Sequence, residues 1–305
     1  MSQPQNNFWD SKRRQERIFK IIFTVILVLG AVTMLAPLAW MLSTSLKTPT
    51  QVFASPPIWI PSPLQWSNYP TAWSVSGIFA TDTWYFLWIK MRGITFSTYA
   101  WNTLVISVLG TLGTTLSSAL VAFAFARLRF PGRDTLFLLC LATLMVPAQV
   151  TMIPSFILFK TLGWYDTFLP LIVPAWLGGG AYNIFLMRQF FMTIPYELDE
   201  AAKIDGCSNL GLFWNILLPL CKPALATVAI FSFVYNWNDF LNPLIYLDSN
   251  ANKTLAIGLT NFVSLYGQDY HLLMAASLII SLPIILIFLA GQKHFIKGIV
   301  TTGLK

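Results

Sequence analysis

The amino-acid sequence predicts an all-α membrane protein of six transmembrane helices, and three observations carry that expectation. Hydrophobic residues make up 56% of the 305 and charged residues 10%, with a mean hydropathy of +0.64; a soluble domain carries about a quarter charged residues. Five stretches lack any charge and reach the roughly 20 residues that a helix needs to cross hydrocarbon. They are residues 21–42, 93–126, 135–159, 167–187 and 272–292, and a sixth, 223–247, is broken only by Asp239 near its far end. The cations then sort by side. With the N-terminus inside, Lys12, Arg13, Arg14, Arg17, Lys20, Arg127, Arg129, Arg133, Arg188, Lys203, Lys222, Lys293, Lys297 and Lys305 are cytoplasmic; only Lys47, Lys90, Arg92, Lys160 and Lys253 are outside. That bias follows the positive-inside rule and makes both termini cytoplasmic. The net charge of +7 thus reflects topology, and no nucleic-acid partner is expected.

The first apolar run follows a basic segment, as in a signal peptide. It is too long for an h-region, and no small-x-small site follows, so an uncleaved helix is expected. Residues 43–98 form a long outside segment rich in Pro and Trp. Pro56, Pro57, Pro61 and Pro63 exclude a regular helix from its first part, and its aromatic rings suit the headgroup level. A segment this long is either a partner surface or a packed cap. After the second span, ARLRFPGRD is a short basic turn with a Pro-Gly dipeptide, so spans two and three make an antiparallel hairpin. In the fourth span the run LGGG, residues 177–180, allows close helix approach or local unwinding. Unwinding there would bring Tyr182 and Asn183 into a substrate pathway. Cys140 falls in a span and Cys207 and Cys221 on the reducing side, so no disulfide is expected.

Residues 195–219, between spans four and five, are unlike their surroundings. Four acids, Glu197, Asp199, Glu200 and Asp205, stand within nine residues. Pro195 suits a first helical position, and acids in the first turns complement the helix dipole. Asp199 and Lys203 are spaced to pair at i,i+4. Gly206 can take the left-handed conformation that ends a helix, and Ser208 can cap the next. An amphipathic connector lying on the membrane would turn basic residues to the lipid. This one is acidic near its tip, which points to docking into another protein. In the fifth span, Asn236, Asp239 and Phe240 stand at i, i+3 and i+4. Amides beside aromatic rings suit a sugar, and an ionisable group near a span is a functional candidate; the plainer role for Asp239 is to cap or bridge helices.

Several chemistries are absent from the sequence. There is no phosphate-cradling G-x-x-x-x-G-K-[ST] loop, so the chain has no P-loop for ATP. His271 and His294 lie at opposite ends of the last span and cannot share a metal. No G-x-S-x-G elbow occurs. The expectation is a non-catalytic chain, binding no cofactor or metal, whose energy comes from a partner.

The segment IPYELDEAAKIDGCSNLGLFWNILLPLCKPAL resembles the EAA motif of ATP-binding-cassette importer permeases, most closely the carbohydrate-uptake permeases of the maltose-transporter type. Glu200, Ala201, Ala202, Asp205, Gly206 and Pro219 occupy the motif positions, and Cys207 stands where Ala is commoner. The resemblance extends over NTLVIS, FARLRFPG, MVPAQVTMIPSFILFKTLG, WNDFLNPLIYL and GQKHFIKGIVTTGLK, covering most of residues 98–305. It implies a type I ABC importer permease fold in the bacterial inner membrane. Residues 1–97 would carry the first helix and external loop, 98–293 the core with a coupling helix at about 195–219, and 294–305 a cytoplasmic tail. It also implies a second homologous permease, two ATPase subunits that bind ATP and Mg, an extracytoplasmic solute-binding protein and the surrounding lipid. Glu200, Ala201, Ala202, Asp205 and Gly206 would then couple to an ATPase. Thr301, Thr302 and Gly303 would reach the ATPase interface, and Tyr266, Gly267 and Gln268 the binding protein. Two rival classes are an ion-gradient-driven carrier, which shows repeated halves and midplane charges, and a membrane-embedded enzyme, which needs clustered acids or histidines. An importer for a non-sugar solute is the nearer alternative.

Overall fold

The computed structural model describes residues 8–74, 95–263 and 269–302, and every regular element among them is helical. The chain divides into two compact units, residues 1–72 with 268–278, and residues 73–267 with 279–305.

In the first unit, α1 (Phe8–Ser45) is a single 38-residue helix that tolerates Pro37. None of its most apolar window is buried, which suits a helix solvated by lipid. Its far end is closed by side-chain chemistry. Asn68, at the start of α3 (Asn68–Ser74), donates from Nδ2 to the carbonyls of Ser45 and Lys47, each at 2.9 Å. The Ser45 carbonyl is among those that a helix end leaves without partners, and Lys47 lies just beyond that end. Trp59 packs edge-on against Trp40, and the Lys47 ammonium sits 3.8 Å from the Trp40 ring centroid. This part of residues 43–98 is therefore packed. The short α2 (Pro49–Val52) lies between.

In the second unit, α4 (Phe96–Arg127) is the spine. It packs against α7 (Leu169–Trp176), α8 (Ala181–Thr193) and α11 (Lys222–Asn238). In lipid, helices associate through close packing of small residues and shared hydrogen bonds, and both occur here. A Cβ on Gly113 would lie 2.5 Å from the Trp176 ring, and one on Gly179 would lie 2.4 Å from the Thr114 carbonyl oxygen. Ser117 donates to the Ala175 carbonyl at 2.8 Å. Gly178, Gly179 and Gly180, all at positive φ, break the fourth span between α7 and α8, so both roles expected of that run, close approach and unwinding, are present.

Two predicted spans are not straight. α5 (Arg133–Ala142), continued by a 3-10 turn to Met145, meets α6 (Ala148–Thr161) at 99°. Val146 is extended there because Pro147 disfavours a helical residue before it. α10 (Asn209–Leu220), which contains the π-helical turn Leu212–Leu217, meets α11 at 80°. Among the described residues four helices are long and apolar enough to cross a membrane alone, and up to six spans result when each bent pair is one. The fifth also ends sooner than expected: α11 stops at Asn238, and α12 (Leu241–Tyr246) follows a break at Asp239 and Phe240. α13 (Leu255–Gly258) lies outside that span, and α14 (Tyr270–Thr302) runs unbroken across the expected boundary between last span and tail.

Candidate functional site

The acidic hairpin begins with α9 (Glu197–Ile204), one residue beyond the Tyr196 cap, so Pro195 precedes the helix. Its end is a paired closure: Gly206 N–H donates to the Lys203 carbonyl at 3.0 Å and Cys207 N–H to the Ala202 carbonyl at 2.9 Å. That pattern needs a left-handed residue at Gly206, whose φ is 78°. Ser208 then caps α10 by accepting from Gly211 N–H at 3.1 Å.

The hairpin is sided. Ala202, Leu212, Phe213 and Leu217 enter one apolar cluster with Phe123 of α4 and Met187 and Phe191 of α8. Glu197, Glu200, Ala201, Lys203, Asp205 and Gly206 are exposed, as is Ile204 at 86%. The expected contact pair Ala201 and Ala202 is thereby split. Ala202 is 4% exposed and packs within its own chain, leaving Ala201 open to a partner. Asp199 also departs from expectation. Its ion-pair partner is Arg127 of α4 at 3.4 Å, both side chains 1% exposed, and Lys203 contributes only a longer-range attraction. Burial pushes the Asp199 carboxyl above its ordinary range, against the pull of Arg127. The same guanidinium donates from Nη2 to the carbonyls of Phe191 and Ile194 at 2.6 and 2.7 Å. Tyr196 lies under it and returns a hydrogen bond to the Arg127 carbonyl. Arg127 read as one more cytoplasmic cation in the sequence, and no local signal marked its distant partner.

A pocket of about 780 Å³ opens among α4, α6, α7, α8, α11 and α12, and it brings together Tyr182, Asn183, Asn236 and Asp239. The glycine break positions the first two: Asn183 donates to the Gly179 carbonyl at 2.8 Å. Asp239 stands in the break after α11, where its carboxylate accepts from Asn242 N–H at 3.2 Å and Asn242 Nδ2 at 2.8 Å. It therefore both joins two helices and lines the pocket. Phe240 does not share its face, because the helix has already ended, and it is absent from the pocket wall. Tyr235, Phe159 and Tyr246 supply the rings instead. Among the described residues lining the pocket none is Lys, Arg or His.

Tyr266, Gly267 and Gln268 lie outside the described residues, as does Gly303. Thr301 and Thr302 end α14.

A family model for the binding-protein-dependent transport system inner membrane component matches residues 118–301. The arabinooligosaccharides transport system permease protein AraQ of Halalkalibacterium halodurans is 34% identical over 296 residues, 96% of this chain and 99% of its own. The sn-glycerol-3-phosphate transport system permease protein UgpE of Yersinia enterocolitica is 32% identical over 278 residues, 90% and 94% of the two chains. Among solved structures, a bacterial ABC transporter involved in import of the acidic polysaccharide alginate has a chain that aligns at a TM-score of 0.75 and 24% identity, covering 92% of this chain and 98% of that one.

Proposed function

The chain belongs to the inner-membrane components of binding-protein-dependent transport systems, and from that premise we propose that it is the permease subunit of an ATP-driven importer for a sugar or oligosaccharide. The observation that carries the solute reading is the pocket. Residues from segments distant in sequence, Tyr182 and Asn183 on one helix, Asn236 on another and Asp239 in the break after it, converge there beside Phe159, Tyr235 and Tyr246. A saccharide presents hydroxyls around its ring and C–H groups on its faces, and amides with aromatic rings meet both. The carboxylate of Asp239 sets the pocket against an anionic solute, since like charges brought together at a contact cost several kcal/mol. AraQ serves oligosaccharides by name.

The rest follows the same reading. Glu200, Ala201, Asp205 and Gly206 dock on an ATPase subunit, which binds the ATP and Mg that this chain does not. Thr301, Thr302 and Gly303 extend toward the interface of two such ATPases. Tyr266, Gly267 and Gln268 face the binding protein, and a second permease completes the route. The N- and C-termini are cytoplasmic. The test is uptake by the purified complete assembly in proteoliposomes. Neutral oligosaccharide should enter only with ATP inside and binding protein outside, and transport by this chain alone would overturn the reading.

A further inference from the structure

The Arg127–Asp199 contact adds a charged tie among α4, α8 and the hairpin, three elements that also meet in one apolar cluster. Arg127 is the last residue of α4. Its guanidinium grips the terminal carbonyls of α8 at Phe191 and Ile194 and pairs with Asp199 of the hairpin. The hairpin is covalently continuous with α8 but not with α4. A force on the hairpin would therefore draw α8 directly, and α4 only through what bridges them.

Both helices lead to the pocket. Thr114 of α4 lines it, thirteen residues or about 20 Å of helix from Arg127. Tyr182 and Asn183 of α8 line the facing wall. The walls touch at Gly179, so closely that a Cβ there would strike the Thr114 carbonyl. A shift of α8 that α4 did not follow would therefore disturb this contact.

Stability alone is a poor reason for the ion pair, because apolar residues of similar volume serve a buried site at least as well. What a buried guanidinium adds is direction: fixed donors aimed at two carbonyls, with the carboxylate held beside them. The pair also retains slack. Nη1 and Oδ1 stand 3.4 Å apart without the alignment of a hydrogen bond, and Arg127 Nε has no protein partner. A charge-assisted bond closes to about 2.7–2.9 Å, so a small hairpin displacement can tighten it.

We infer that Arg127 and Asp199 are positioning residues for transport, passing movement of the ATPase-docked hairpin to α4 so that both walls of the pocket shift together. This rests on reading the hairpin as the docking element. The test uses the complete assembly in proteoliposomes, measuring ATP hydrolysis and solute uptake together, with D199N, which keeps the shape and removes the charge. The expected result is an assembled complex that still hydrolyses ATP but moves less solute per ATP, by about fivefold or more, the span of a typical coupling between sites. Unchanged uptake per ATP would overturn the inference. Should D199N fail to assemble, R127K, which keeps the cation and loses the fork, is read the same way. Failure of both to assemble would make the pair a folding requirement only and equally overturn it. A cysteine at Ala201 that cross-links to the ATPase in the otherwise unaltered assembly checks the docking reading separately, since its absence would refute docking whatever D199N does.

Discussion

Asp166 shows how much one side chain can organise between two loops. It is the single described non-glycine residue at positive φ, 58°. Its Oδ1 accepts from Asp248 N–H, Ser249 N–H, the Ser249 hydroxyl and Asn252 Nδ2, at 3.0 to 3.2 Å. The loop between α6 and α7 is thereby clasped to the loop after α12. Partial burial raises the Asp166 carboxyl, but these donors outweigh it and hold the group below the ordinary 3.8. A depressed folded value means that ionisation stabilises the clasp above 3.8 and that this is lost as pH falls through the lower folded value. Hydrogen exchange at Asp248 and Ser249 should thus stay slow through mildly acid pH, and protection lost well above the ordinary aspartate value would contradict the assignment. D166A should free both amides and cost about 1–3 kcal/mol, since it strands their donors, and Ala tolerates the left-handed region less readily than Asp. Two glycines give a sharper contrast. Gly206 at φ 78° has nothing within 4 Å of a built Cβ, so G206A should cost only about 1–2 kcal/mol of left-handed strain. Gly179 adds to its own φ of 69° a Cβ clash with α4 backbone, so G179A should sharply lower the thermal midpoint in detergent while G206A shifts it by a few degrees.

At the level of elements, the hairpin was the most legible part, because its signals are local. Gly206 ends α9 and Ser208 caps α10 as their residue types require. What the sequence concealed was non-local or geometric. The partner of Asp199 is carried by another helix, and spacing offered only Lys203. The bends at Val146–Pro147 and at Cys221 fall within or beside apolar runs whose composition is the same whether a helix is straight or turned through 99° or 80°. The face drawn through Asn236, Asp239 and Phe240 failed because Asp239 leaves the helix, with ψ at 119°. The inward turn of Ala202 gives the hairpin a testable asymmetry. A201W should block retention of the ATPase subunit during purification yet leave the thermal midpoint of the isolated chain nearly unchanged. A202L should do the reverse in kind, overpacking the cluster beside Phe213 at about 1–3 kcal/mol. Equal losses of ATPase retention without any change in stability would show that both alanines face the partner.

Across the whole molecule, exposure alone does not demand a second subunit. The apolar side chains of α1 and α6 are open to their surroundings, but lipid tails are as apolar as leucine and cover them equally well. The pocket is different. Tyr182 is 55% and Tyr235 67% exposed beside a carboxylate and three asparagines. Polar and ionised groups at membrane depth face protein or water, because hydrocarbon leaves them unsatisfied at a cost of several kcal/mol. A wall of this chemistry needs protein or an enclosed aqueous route across from it. On the proposed function, the native particle is expected to contain this 34.3 kDa chain, a second permease of different sequence and two ATPase subunits. Native mass measurement of the solubilised complex checks the composition. A cysteine at Tyr235 should cross-link to that second permease, and protection of the same cysteine from a water-soluble reagent should rise when oligosaccharide occupies the route. A native mass with one kind of permease chain would make the pair a homodimer, and a transport-competent monomer would contradict the argument from the pocket wall.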